Sequence, residues 1–337
     1  MEKQRSIGID TARGIAIILM VIGHAAAPEW LNKLIFGFHM PLFFLLSGYL
    51  FNREKWLSLG FSSFAKKRAK DYLVPYFVLA AVNLLLQLVI EFRHAGLSEI
   101  VRHIGKSAFA IVYANGRGMP LCGQLWFLPC LFVCSLLLYG LMRIERRWLR
   151  ALLCLLGVAA SRVIYAVFTT KIGSFFGLLP WHLETVLLCM GFLLIGCELK
   201  AASALDKMDI FAALALAAVG FYAVVTNTSE IGRVDVNNNI IGNAVLGYIG
   251  AASLSLLTIW LSEFRFPLRA VIAYFGRHTI IVVGFNFVLN RLMNLSWSRF
   301  AAGELWWLKT LIGLACCALI AFLWDALKRK FPKIAIF

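Results

Sequence analysis

Residues 9–27 read Ile9-Asp10-Thr11-Ala12-Arg13-Gly14-Ile15-Ala16-Ile17-Ile18-Leu19-Met20-Val21-Ile22-Gly23-His24-Ala25-Ala26-Ala27. As a helix, a run of this length crosses ~30 Å of hydrocarbon. Working outward, comparable apolar runs recur at residues 36–52, 72–92, 122–142, 149–169, 181–200, 208–227, 238–262, 271–291 and 304–326. The chain has 337 residues, 61% of them hydrophobic and 15% charged, with a mean hydropathy of +0.82. A soluble domain holds ~45–50% apolar and ~25% charged residues. Lipid offers the backbone no hydrogen-bond partner, so the runs must be helices. Barrel strands alternate in polarity, and these runs do not. The expected fold is all-α and polytopic, with about ten transmembrane helices. It forms a single membrane domain, residues 1–337, with nothing soluble attached.

Cytoplasmic loops carry the excess of Lys and Arg. An N-terminus inside places Lys3, Arg5, the basic residues of 53–70, Arg143, Arg146, Arg147, Arg150, Lys200, Lys207, Arg265, Arg269 and the basic residues from Lys328 to Lys333 in the cytoplasm. Residues 93–121 are then the one basic outer loop, and both termini are expected in the cytoplasm. The formal charge of +16 follows from this topology. The basic residues lie in separate short loops rather than on one face, so no nucleic-acid partner is expected. The cysteines sit in or beside apolar runs without zinc-ligand spacing to histidines. They read as small buried hydrophobes, and no metal is expected. Ala25-Ala26-Ala27 could mark a signal-peptide cleavage site, but Pro28 follows directly, and the first run is read as retained.

Ionisable residues inside a span cost about 2.5–3.5 kcal/mol each on insertion scales, which makes them functional candidates. The first run has Asp10, Arg13 and His24. At ~100° per residue Arg13 and His24 fall within roughly 20° of one face, ~16 Å apart along the axis. Asp10 lies at ion-pair spacing from Arg13. The second run opens Phe38-His39-Met40-Pro41-Leu42-Phe43-Phe44 and continues to Ser47-Gly48-Tyr49. His39 is expected at the outer depth of His24, on an adjacent antiparallel helix, as a second proton-handling group.

These stretches resemble the acyltransferase family 3 membrane O-acyltransferases, most nearly their fucose 4-O-acetylase-like branch. The resemblance rests on Ile9 to Ile17, on Val21-Ile22-Gly23-His24 and on Phe38 to Tyr49, with the Arg13-to-His24 spacing as its hallmark. Weaker matches are Leu73-Val74-Pro75-Tyr76, Leu125-Trp126-Phe127-Leu128 and Gly191 to Gly196. The resemblance implies ten helices around an acyl-donor site in the inner membrane. It further implies transfer of an acetyl group from cytoplasmic acetyl-CoA to a hydroxyl of an envelope sugar or polysaccharide. Arg13 and His24 match the family's essential pair. Two positions depart from the family pattern: Lys67 and Lys70 stand where members often carry Arg-x-x-Arg, and Asn286 stands where a later His often falls after a motif matched by Gly276-Arg277-His278-Thr279.

On this reading His24, with Asp10 and Arg13, is the expected catalytic group, acting as a general base or through an acyl-histidine. Lys67, Arg68 and Lys70, with Arg13, are the expected donor-binding cations. His39, Glu184, Ser47 and Tyr49 are expected to handle the acceptor or its proton. Each has a purely structural alternative: an interfacial ion pair for Asp10 and Arg13, anionic headgroups for the lysines, and an aromatic belt for Trp181 near Glu184. A transporter or flippase of a glycan precursor or acyl donor is the rival function, because polar stripes also line substrate paths.

Overall fold

The computed structural model describes residues 6–171, 179–229 and 231–331. Lys3, Arg5 and Lys333, counted above as cytoplasmic, lie outside the described residues. The described chain is helical: α1 Ile7–Gly23, α2 Glu29–Tyr49, α3 Arg53–Leu59, α4 Phe61–Arg68, α5 Val74–Glu91, α6 Leu97–Tyr113, α7 Phe127–Met142, α8 Arg147–Lys171, α9 Leu183–Ala201, α10 Ile210–Thr226, α11 Ala244–Glu263, α12 Arg269–Arg277, α13 Thr279–Ser296, α14 Ser298–Ala301 and α15 Trp306–Lys330. The one β-pairing among described residues is an isolated bridge between Asp235 and Ile240. Eight helical stretches are 18 residues or longer and apolar enough to cross a membrane. The chain is thus an all-α polytopic membrane protein. α1 and α10, each 17 residues long, fill the two other places in the expected order.

Local chemistry sets several of the helix ends. Asn52, Asp209 and Asn243 accept from the backbone N–H three residues on, and Ser6 does the same at the start of α1, satisfying donors that a helix leaves open. α2 begins at Glu29, seven residues ahead of the expected 36. His39 therefore stands within the helix rather than at its mouth.

Three further departures matter for the site. Residues 53–70 are helical rather than a loop, because Phe64 is buried between Trp56 and Tyr139. α4 runs into α5 through a π-helical segment, Ala69–Leu73, in which the Val74 N–H bonds the Ala69 carbonyl. Pro75 has no N–H for the Asp71 carbonyl, and a widened turn accommodates the lost bond. The expected 271–291 run is broken at His278, between α12 and α13.

α1 is central and packs against α2, α11, α12, α13 and α15, while α2 also packs against α9 and α10. Two helix crossings bring backbones into contact. A Cβ on Gly276 would overlap the Asp10 carbonyl oxygen, and one on Gly14 would overlap that of Ile272. Gly48 of α2 and Gly196 of α9 are related in the same reciprocal way. Small residues permit such approach between membrane helices. Outward, α5, α8 and α15 present Leu85, Val89, Leu155, Leu156, Leu319 and Phe322, the surface that lipid covers.

Candidate functional site

One cavity of about 670 Å³ runs through the bundle, between α1, α2, the π segment, α7, α13 and α15. Its volume lies within the ~300–1,000 Å³ range of small-molecule sites. Because α1 runs from Ile7 to His24 and α2 returns, the cavity has two chemically distinct ends. One is ringed by Arg68, Lys70, Arg277 and Lys328, and Arg13 lines it nearby. The other holds His24 and His39, with Arg233, Asp235 and Asn237 from the segment between α10 and α11.

At the histidine end, Phe36 stands between the two imidazoles. Its ring meets that of His39 edge-on at 5.0 Å and that of His24 at 5.8 Å. The Arg233 guanidinium lies 4.1 Å over the same ring. Phe287 closes the other side of His24 at 5.5 Å, and Asn290 donates to the His24 backbone carbonyl at 3.3 Å. His39 is 2% exposed, with Nδ1 2.8 Å from the Ile35 carbonyl oxygen. A carbonyl only accepts, so Nδ1 carries the hydrogen, and the ring when neutral has its lone pair on Nε2.

At the basic end, the Arg68 guanidinium lies against Trp56 and Phe64, 5.1 Å from each ring centroid, and 3.9 Å from Asp71. Arg68, Lys70, Asp71 and Tyr72 all reach the cavity from the π segment and its flank. Its opposite wall carries Arg277 and His278. His278 places Nδ1 2.9 Å from the Tyr274 carbonyl and Nε2 2.9 Å from Asp325 of α15. The helix break therefore exposes a polar turn to the cavity and ties it to α15.

Of the residues singled out in the sequence, Arg13, His24, His39, Ser47, Arg68 and Lys70 line this one cavity. Ser47 donates to the Phe43 carbonyl at 2.8 Å and sits ~12 Å along α2 from His39, toward the basic end. Asp10 is buried beneath the α12 crossing and does not line the cavity. Lys67 points outward and pairs with Asp71 at 2.5 Å. Tyr49 lies under the Lys200 ammonium at 4.9 Å, away from the cavity. Glu184 is 2% exposed, accepts from the Leu179 N–H at 2.9 Å and lies 3.5 Å from His182. Among the described residues it approaches the site through His182, whose ring is 4.6 Å from that of Trp126. Asn286, where the family often has a histidine, is buried with its amide toward the Met20 sulfur.

Sequence reasoning passed over Arg233, Gln124, Asn237 and Lys328 as site residues. The last was counted only as a topology signal. No local pattern marks the others, because the turns that carry them reach α1 and α2 only in the folded bundle.

Comparison with known proteins adds three findings. Nodulation protein NolL of Mesorhizobium japonicum is 25% identical over 179 residues, covering 50% of this chain and 43% of that protein. No solved structure matches significantly. A family model described as an acyltransferase domain, that of acyltransferase family 3, matches residues 6–334. With nearly its whole length inside that match, and the Arg13–His24 stripe lining its main cavity, the chain belongs to acyltransferase family 3.

Proposed function

We propose that this membrane acyltransferase carries an acetyl group from cytoplasmic acetyl-CoA to a hydroxyl of an envelope sugar on the outer side of the inner membrane. The observation that carries this reading is the single cavity joining four cations at one end to two histidines at the other. The basic end faces the cytoplasm in this reading, and the excess of Lys and Arg there supports that orientation. Arg68, Lys70, Arg277 and Lys328 hold the phosphates of the donor. The apolar stretch of Ile17, Met20, Phe43 and Phe127 takes the narrow pantetheine arm, and Arg13 meets one of its amides. The thioester carbonyl then lies beside His24.

The acceptor hydroxyl attacks that carbonyl while His24 takes its proton. The tetrahedral intermediate collapses, the C–S bond breaks, and the departing sulfur receives the proton from His24. The products are an O-acetyl ester and free coenzyme A. His39, with its lone pair fixed on Nε2, is the second proton acceptor across Phe36. A positioned base of this kind contributes ~10²–10⁴-fold.

The test is coenzyme A release from acetyl-CoA by purified protein in detergent, wild type beside His24→Ala, with both shown to be folded by gel filtration. Release that falls at least ~10²-fold in the variant supports the donor and the role of His24. No release by the wild type, with envelope glycans present, would sink the assignment of donor.

A further inference from the structure

The histidine end holds polar groups that the transfer step does not use. Gln124, in the short 3-10 turn Gly123–Trp126 leading into α7, is 7% exposed and lines the cavity. Neither its amide nitrogen nor its amide oxygen has a hydrogen-bond partner among the described residues. The same is true of a buried atom in each of two other cavity-lining residues, Arg233 Nε and Asn237 Oδ1. Buried polar groups are nearly always partnered, and three residues with unmet groups line this cavity together.

The groups come from two outer segments that meet at Gly116. A Cβ there would lie 3.2 Å from the Gly123 carbonyl oxygen and 3.4 Å from Asn237 Oδ1. The place is one ring from the chemistry: Gly123 neighbours Phe287, which packs on His24. Arg233 covers the Phe36 ring that separates the two histidines.

The unmet set decides the ligand's chemistry. Gln124 offers a donor and an acceptor side by side, Arg233 a donor, and Asn237 an acceptor. An apolar ligand would leave all four demands unmet. An anion would face the acceptors of Gln124 and Asn237 and the Asp235 carboxylate. A ring with adjacent hydroxyls, each both donor and acceptor, satisfies all of them. Trp126, which lines the same cavity, is the aromatic side chain such a sugar would meet there.

We infer that Gln124, Arg233 and Asn237 form an acceptor subsite that grips a vicinal diol next to the hydroxyl being acylated. The inference rests on the transferase reading above and adds to it the groups that choose the acceptor. A site built to hydrogen-bond hydroxyls discriminates steeply against analogues that lack them.

The experiment uses the full chain in detergent, with methyl α-L-fucopyranoside, methyl α-D-mannopyranoside and their deoxy analogues as acceptor probes. Wild type, Gln124→Leu and Asn237→Ala are compared by transfer of labelled acetyl from acetyl-CoA, and by equilibrium binding of each glycoside. Both substitutions should raise the acceptor KM about tenfold, the worth of one hydrogen bond, with the KM for acetyl-CoA unchanged within about twofold. Wild type should prefer the diol-bearing glycosides, and Gln124→Leu should lose that preference. A donor KM that rises while the acceptor KM does not would overturn the inference, since Gln124 would then serve the pantetheine arm. Coenzyme A release that depends on His24, with none of the glycosides bound, would overturn the subsite and leave the transferase reading standing. Glycoside binding that depends on Gln124, in a protein that releases no coenzyme A, would support the subsite and remove the assigned donor.

Discussion

His39 and Glu184 show how a single buried residue can be read in two ways. Both were legible as expensive groups in apolar runs, and the fold uses them differently. His39 reaches the cavity with one nitrogen committed to Ile35 and the other open. Glu184 spends its carboxylate on the Leu179 N–H and on Thr185, at the turn where Trp181 and His182 adopt positive φ. These contacts support a positioning role, holding that turn beneath Trp126. Glu184→Ala should lower the melting temperature by on the order of 2–5 °C, from one unmet buried donor, and leave the acceptor KM within about twofold. A rise in acceptor KM with no loss of stability would make Glu184 part of the acceptor site instead. Spacing along α1 and α2 was enough to bring His24 and His39 to one cavity. It could not show Phe36 between them or Arg233 above it, because the segment from Ile231 to Asn243 reaches α2 through tertiary packing.

Helices were easier to read than their interruptions. Long apolar runs fixed the order of the spans, since lipid admits no other backbone arrangement. The charge of residues 53–70 hid two short helices, and the polar character of 93–121 hid α6. Leu97, Val101 and Ile104 recur there at helical spacing, and all three face outward, as on a helix lying at the membrane surface. The π segment was signalled only by Pro75, whose missing N–H has several possible accommodations. It is the accommodation found here that brings Lys70, Asp71 and Tyr72 to the cavity rim. Pro75→Ala restores a partner for the Asp71 carbonyl and allows a regular α-turn. The substitution should raise the KM for acetyl-CoA about tenfold while the melting temperature stays level or rises. An unchanged donor KM would show that the widened turn has no part in donor binding.

Across the whole molecule, the excess of cations is legible in the sequence, but their convergence is not. Lys70 and Lys328 stand some 250 residues apart in the chain and ring the same mouth, with Arg68 and Arg277 between them. Lys67, one turn before Asp71, was expected there and turns away to form an exposed ion pair, one worth little to stability. Reversing Lys70 and Lys328 together, to Glu, should raise the KM for acetyl-CoA at least about tenfold. The effect should shrink as salt rises, because screening weakens charges near the surface. Reversal of Lys66 and Lys67 together, the same change in net charge, should change it less than about twofold. Equal effects from the two variants would mean that net charge, and not this mouth, attracts the donor.

The cavity that joins the two ends also poses a problem of insulation. A bilayer that holds a voltage discharges through any continuous thread of water, and here polar groups flank both ends of one passage. Between them stands a girdle of Ile17, Met20, Phe43 and Phe127, all of them apolar. Pores elsewhere close by drying at such girdles. If the proposed donor threads this girdle, the same four side chains must admit a slender acyl carrier and still keep the membrane electrically tight, so that the route for the substrate does not become a route for protons.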